Sequence, residues 1–334
     1  MKASISLLLF IVLNSYASML YSKENDFWII AHRGASGHLP EHTLIAKALA
    51  YGMGAHAIEQ DLVASKDEVL FVLHDIHIDT TTDVAVKFPD RAREDGRFYA
   101  IDFTAAELKQ LNVTERFKAD TGKQVYPERF KGKMEGLKIP TFAEEIRLVQ
   151  ELNRTTGKQV WIYPEIKAPA FHRKAGLDIS KITLETLSDH GWLGEDAPVY
   201  LQCFDQAETI RIRKELGYPG QLVQLIAENS WGESETDYDL LMTITGLERI
   251  AEVVDGIGPW FPQCLDEEGA PSDLIKNAKR QGLTIHPFTF RADQYPQEAF
   301  PSFAAFVRHF QETIGVDGIF TDHPSLALEA VLEK

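Results

Sequence analysis

The sequence predicts an α/β fold, a closed (β/α)8 barrel of parallel strands in one domain with a small inserted cap. Three observations carry this. Short apolar runs begin near Trp28, Ile58, Val160, Val199, Leu222, Gly256, Thr284 and Gly318, eight in all. Segments with helical periodicity alternate with them, regularly so from Thr141 onward. Several runs end in ionisable residues at their C-terminal tips, where barrels of this design carry their functional groups. An open doubly wound sheet is the competing arrangement, but the first strand lacks the Gly-x-Gly-x-x-Gly turn that would support it.

The first strand, starting at Trp28, runs into His32-Arg33-Gly34. Leu39-Pro40-Glu41-His42-Thr43 then opens a helix whose Leu44, Ile45, Ala48, Leu49 and Met53 recur at helical spacing. Glu41 and His42 read there as helix-start residues rather than catalytic ones. Next come Ile58-Glu59-Gln60-Asp61-Leu62 and Leu70-Phe71-Val72-Leu73-His74-Asp75. The link from Val63 to Val69 is too short for a parallel crossover, so the spacing predicts an antiparallel hairpin turning at Lys66-Asp67-Glu68. Pairing Ser65 with Val69 sets His74 opposite Gln60, between Glu59 and Asp61.

Residues 76–139 are polar with few apolar runs, the texture of an inserted cap. One helix is expected in it, Thr104 to Leu111, opened by a Thr104/Glu107 capping box. Beyond it, helices at 142–152, 179–190, 207–216, 247–254, 272–281 and 299–313 alternate with strands at 160–167, 199–204, 222–226, 256–259, 284–290 and 318–322. A last helix starts at Ser325.

With 334 residues, 44% of them hydrophobic, the chain can bury a substantial core. A formal net charge of −16 without a polybasic run argues against nucleic acid or anionic membranes as partners. Met1-Lys2, an apolar stretch from Ser4 to Leu13 and the small residues of Ser15-Tyr16-Ala17-Ser18 read as a cleaved signal peptide. It covers approximately residues 1–20, with cleavage between Ala17 and Ser22, and leaves an exported, periplasmic or otherwise external domain over 23–334. An apolar stretch of about ten residues cannot cross a bilayer core that needs around twenty, so no stable membrane insertion is expected. Cys203 and Cys264 are expected to stay unpaired and make no metal site.

Glu59 and Asp61 are two apart and share a strand face, where apolar neighbours leave a cation as the natural escape from their repulsion. Glu165, at the tip of the next barrel strand, converges on them. Three carboxylates without thiolate form a hard oxygen site, suited to Ca²⁺ first and Mg²⁺ second. Arg33 and Lys167 bring positive charge to the same rim, a receptor for a phosphate. His32 and His74 remain as the acid/base pair that phosphodiester cleavage requires.

The ordered set Ala31-His32-Arg33-Gly34-Ala35, Pro40-Glu41-His42-Thr43, Glu59-Gln60-Asp61, His74-Asp75, Pro164-Glu165-Ile166-Lys167 and Thr321-Asp322-His323-Pro324 resembles the successive motifs of the glycerophosphodiester phosphodiesterases, from about Ile29 to Pro324. The run from Arg91 to Phe103, Tyr200-Leu-Gln-Cys-Phe and Asp255-Gly-Ile-Gly-Pro are closest to its periplasmic bacterial branch. The resemblance implies a TIM-type barrel that releases sn-glycerol 3-phosphate from substrates such as glycerophosphocholine or glycerophosphoethanolamine. It implies a divalent cation, calcium in that branch, on Glu59, Asp61 and Glu165. His32 and His74 become the acid and base, Arg33 and Lys167 phosphate contacts, and Phe204 a neighbour of the glycerol. Attack by water and attack by the glycerol hydroxyl through a cyclic intermediate both stay open. Many relatives carry Trp-Thr where this chain has Phe288-Thr289. Two other functions compete: a barrel-fold phospholipase cleaving intact phosphoinositides or sphingomyelin, and a surface binding protein on the same barrel.

Overall fold

The structure is a computed structural model in which residues 27–132 and 136–333 are described. The expected signal peptide, residues 1–20, lies outside them. Eight parallel strands form the barrel: β1 (Trp28–Ala31), β2 (Ala57–Ala64), β4 (Trp161–Ile166), β5 (Tyr200–Cys203), β6 (Gln221–Ile226), β7 (Gly256–Pro259), β8 (Thr284–Ile285) and β9 (Gly318–Thr321). They follow the order β8-β7-β6-β5-β4-β2-β1-β9. The ring is completed by backbone hydrogen bonds from Asp317 N to Ile285 O (3.0 Å), Phe320 N to Pro287 O (3.0 Å) and Phe290 N to Phe320 O (2.8 Å). The remaining strand, β3 (Leu70–Val72), pairs antiparallel with β2, with Leu62 opposite Val72 and Ala64 opposite Leu70. That is the expected hairpin register; Ser65 N donates to Val69 O at its turn (2.9 Å).

The elements from Thr141 onward fall near their expected places, with instructive exceptions. Regular pairing in β8 stops at Ile285 rather than extending to Phe290, since Pro287 has no N–H to give the ladder. The helix expected at 247–254 occupies Ile244–Ile250, because Thr243 caps it by accepting from Gly246 N (3.1 Å). The helix expected at 299–313 is Phe303–Arg308, continued by a wider turn over His309–Ile314. Leu44–Gly52 is helical, but its buried face is Ala46, Lys47, Ala50 and Tyr51 rather than the larger apolar residues. Ala46 packs on Gly34, where a Cβ would meet Ala46 C at 2.9 Å, so only a residue without one permits the approach.

Residues 76–139 are less polar inside than their composition suggests. Ile78, Val84, Phe98, Phe103, Leu108, Leu111 and Val113 form a buried cluster with Val63, Phe71 and Leu73 of the hairpin. The expected helix shrinks to Ala105–Leu108, with its Thr104/Glu107 capping box formed.

Alternation along the strands organises the barrel interior. Ile30, Ala57, Tyr163, Val223 and Phe320 form an inner cluster packed with Trp28, Trp161 and Tyr200. Tyr163 and Tyr200 stack at 4.9 Å. Two residues further along the same inward rows come His32, Glu59, Glu165, Gln202 and Leu225. A floor of aromatic and aliphatic side chains therefore carries an ionisable tier above it.

Candidate active site

The ionisable tier opens into one cavity of about 220 Å³ at the C-terminal end of the strands, lined by His32, Arg33, Glu59, Asp61, His74, Glu165, Lys167 and Phe204. Every residue singled out from the sequence as catalytic, phosphate-contacting or metal-binding lies on its wall. Gln202, Leu225, Trp231, Glu233, Trp260, Phe288, Thr289, Arg291 and Phe320 complete the lining.

Strand pairing explains the convergence. Asp61 on β2 stands opposite Glu165 on β4, and Ala31 on β1 stands opposite Ile58, which projects His32 and Arg33 over the carboxylates. Arg33 N donates to Glu59 Oε2 (2.5 Å), from a backbone with φ of +60°. Such a left-handed conformation is uncommon for a residue with a side chain and clusters at functional sites. His74 follows the hairpin strand, tied by Leu73 N to Asp61 O (2.8 Å).

Each candidate histidine is held from behind by an aspartate. His32 Nδ1 lies 2.6 Å from Asp322 Oδ1, and His74 Nδ1 lies 2.7 Å from Asp75 Oδ1. A carboxylate on Nδ1 fixes the Nδ1–H tautomer and leaves Nε2 free to accept or deliver a proton. Burial, reinforced by Arg33, lowers the His32 pKa to about 4. Burial with Arg33 and Lys167 lowers His74 as well.

The carboxylates are poised for a cation. Burial and repulsion from Asp61 push Glu59 well above the usual carboxylate range. Burial raises Glu165 to about 8 even with Lys167 Nζ 2.8 Å from its Oε1. Asp61 moves the other way: against burial, His74, Lys167 and His42 hold it ionised. Neighbouring acids forced apart in this way are what a divalent ion relieves. His42, Glu59 and Asp61 bring their polar atoms within 4.8 Å of one another, and the two carboxylates of this group offer oxygen ligands for such an ion.

His42 corrects the sequence reading. It is buried with Nε2 2.8 Å from Asp61 Oδ2, and its Nδ1 lies 3.2 Å from Lys47 Nζ. An ammonium only donates, so Nδ1 accepts and the Nε2–H points at Asp61; neutral imidazole is also what burial and Lys47 favour, with a pKa of about 3. Lys47, itself buried, also donates to Glu59 O and lies 3.3 Å from Glu145 Oε2. Glu41 is likewise more than a helix-start residue. Both its oxygens lie 3.2 Å from Arg33 Nη1. Arg33 Nε makes no hydrogen bond among the described residues, which leaves a buried donor at the cavity.

Asp322, Lys47, Arg116 and Arg129 escaped the sequence reading as site residues. Only Asp322 carried a local signal, its place at the tip of the last strand.

A parallel barrel with paired histidines and a carboxylate cluster at its C-terminal mouth belongs to the class of hydrolytic α/β barrels. The chain belongs to the glycerophosphoryl diester phosphodiesterase family, whose sequence pattern matches residues 32–326. A glycerophosphodiester phosphodiesterase of Haemophilus influenzae is 41% identical over 332 residues, covering 92% of this chain and 90% of that protein. One of Treponema pallidum is 34% identical, covering 94% of each. Among solved structures, an Oleispira antarctica phosphodiesterase in complex with sn-glycerol-3-phosphate aligns with a TM-score of 0.61 at 20% identity, covering 92% of this chain and 97% of that one.

Proposed function

We infer that this protein is an exported, divalent-cation-dependent glycerophosphodiester phosphodiesterase of the periplasmic bacterial kind. It hydrolyses deacylated phospholipids such as glycerophosphocholine or glycerophosphoethanolamine to sn-glycerol 3-phosphate and an alcohol. The observation that carries this reading is the meeting of two aspartate-backed histidines, Arg33, Lys167 and three carboxylates around one cavity.

Glu59, Asp61 and Glu165 are the proposed cation ligands, with His42 turning Asp61 toward the site through its Nε2–H. Calcium is the first choice, because an all-carboxylate oxygen set in an external compartment suits it. When bound, the ion supplies positive charge to the phosphoryl oxygens. Arg33 and Lys167 orient the phosphate, Arg33 with its unspent Nε–H. Of His32 and His74, one takes the proton of the attacking oxygen and the other gives one to the departing alcohol, each through Nε2. Phe204, 5.5 Å from Lys167 Nζ, offers the glycerol carbons an apolar wall.

The cavity volume of about 220 Å³ suits a headgroup, not a lipid with two acyl chains. The exposed large apolar side chains Val86, Ile210, Leu240 and Leu332 lie on separate elements and none lines the cavity, whereas exposed Trp231 does. This favours a deacylated substrate over intact phosphoinositides or sphingomyelin. The test is release of sn-glycerol 3-phosphate from glycerophosphocholine, assayed beside phosphatidylinositol and sphingomyelin. Cleavage of the intact lipids alone would reverse the assignment.

A further inference from the structure

The geometry points to a catalytic duty for the inserted segment 76–139: Arg116 and Arg129 are positioning residues that hold both acid/base histidines from outside the barrel. This rests on the reading of His32 and His74 as the acid/base pair.

The two assemblies have one plan. Asp75 accepts on Oδ1 from His74 Nδ1–H (2.7 Å) and on Oδ2 from Arg116 Nη1 (2.5 Å). Asp322 accepts on Oδ1 from His32 Nδ1–H (2.6 Å) and on Oδ2 from Arg129 Nη2 (2.7 Å). The barrel supplies His32 and Asp322 and its β2–β3 hairpin supplies His74 and Asp75; the insertion supplies both arginines. A carboxylate gripped on one oxygen by a guanidinium cannot rotate away from the imidazole on the other, so the ring keeps its tautomer and its aim.

Each arginine is fixed by further contacts. Arg116 also forks onto Glu41 (3.1 and 2.7 Å), which in turn holds Arg33. Arg129 forks onto Asp293 (2.7 and 3.0 Å), donates to Ser36 O and lies 3.6 Å over the Tyr126 ring. Its side chain is only 5% exposed, so little water competes for these bonds. Arg291, a barrel residue, also donates to Asp322 Oδ2 (2.9 Å). The His32 side therefore has a second support, and the His74 side has Arg116. Seating of the segment is thus registered at both histidines at once.

The test is steady-state kinetics of the full chain on glycerophosphocholine with its bound cation. Arg116→Ala and Arg129→Ala are each expected to lower kcat by roughly 10–100-fold, the former more, while Arg129→Ala leaves KM within about threefold. Each loss should vanish against the matching Asp75→Asn or Asp322→Asn background, because an arginine acting through an aspartate has nothing left to hold. Millimolar guanidinium ion should restore part of kcat in the alanine variants, whereas a general loss of packing would not respond. Should an alanine variant fail to fold by circular dichroism, Arg116→Lys and Arg129→Lys keep the charge without the fork, and the same non-additivity is required of them. Unchanged kcat, or losses that simply add to those of the asparagine variants, would overturn the assignment. His32→Ala and His74→Ala separate the two levels: if these retain turnover, the acid/base reading fails; if they lose it while the arginine variants do not, only the role of the insertion fails.

Discussion

Lys47→Met is the most informative single change, because one ammonium serves three buried partners at once. Lys47 Nζ meets His42 Nδ1 at 3.2 Å, the Glu59 carbonyl, and Glu145 Oε2 at 3.3 Å, with the side chain fully buried. Burial already lifts Glu145 from 4.5 to about 7, with Lys47 as the chief counterweight; that rise alone corresponds to roughly 3 kcal/mol between its protonation states. Removing one partner of a buried pair typically costs about 3–5 kcal/mol. At roughly 2–4 °C per kcal/mol for a large domain, Tm should fall on the order of 10 °C.

The loss should depend on pH. A carboxyl whose folded pKa lies above its unfolded one contributes most below the unfolded value, about 4.5, and its contribution fades as pH rises through about 7. Methionine removes the charge that holds Glu145 down, so the variant's deficit should be smaller at pH 5, where Glu145 is protonated and only the His42 and Glu59 carbonyl contacts are lost, and larger at pH 8.5. Lys47→Met/Glu145→Gln should recover most of the difference at the higher pH. Urea unfolding at both pH values, read by circular dichroism, measures it. An equal deficit at both, or no recovery in the double variant, would refute the reasoning.

His32→Ala and His74→Ala should each lower kcat by roughly 10²–10⁴ with native circular dichroism; near-normal turnover in either removes that residue from the mechanism. Exhaustive chelation should abolish activity and Ca²⁺ should restore it, so full turnover by metal-free protein would discard the cation ligands proposed. Gly34→Ala sets a Cβ 2.9 Å from the Ala46 carbonyl at a φ of +85° and should cost on the order of 1–3 kcal/mol, together with activity through the displaced Arg33; a variant with wild-type Tm would contradict the close packing of β1 on the following helix.

The strand tips were legible because they combine two local signals, an apolar run and an abrupt change to ionisable residues. Glu59 and Asp61 also declared their common face through their spacing alone. Parallel pairing of β2 with β4 then sets Asp61 against Glu165, a step the sequence supports by order of elements. Lys47 was hidden for the opposite reason. A lysine inside an amphipathic stretch reads as a solvated side chain, and only the fold reveals three acceptors around it. Arg116 and Arg129 sit in a polar insertion whose charges look interchangeable; nothing local separates them from Arg91 or Arg93. The apolar cluster of that insertion was missed because Phe98, Phe103, Leu108 and Leu111 are scattered rather than periodic.

One contact sets the order of events in biogenesis. His32 leans on an aspartate 290 positions later, and β1 finds its outer neighbour only in β9. On the mechanism proposed, a folding chain holds no competent acid/base pair until its final strand has docked, and recovery of turnover after denaturation should trail the return of secondary structure.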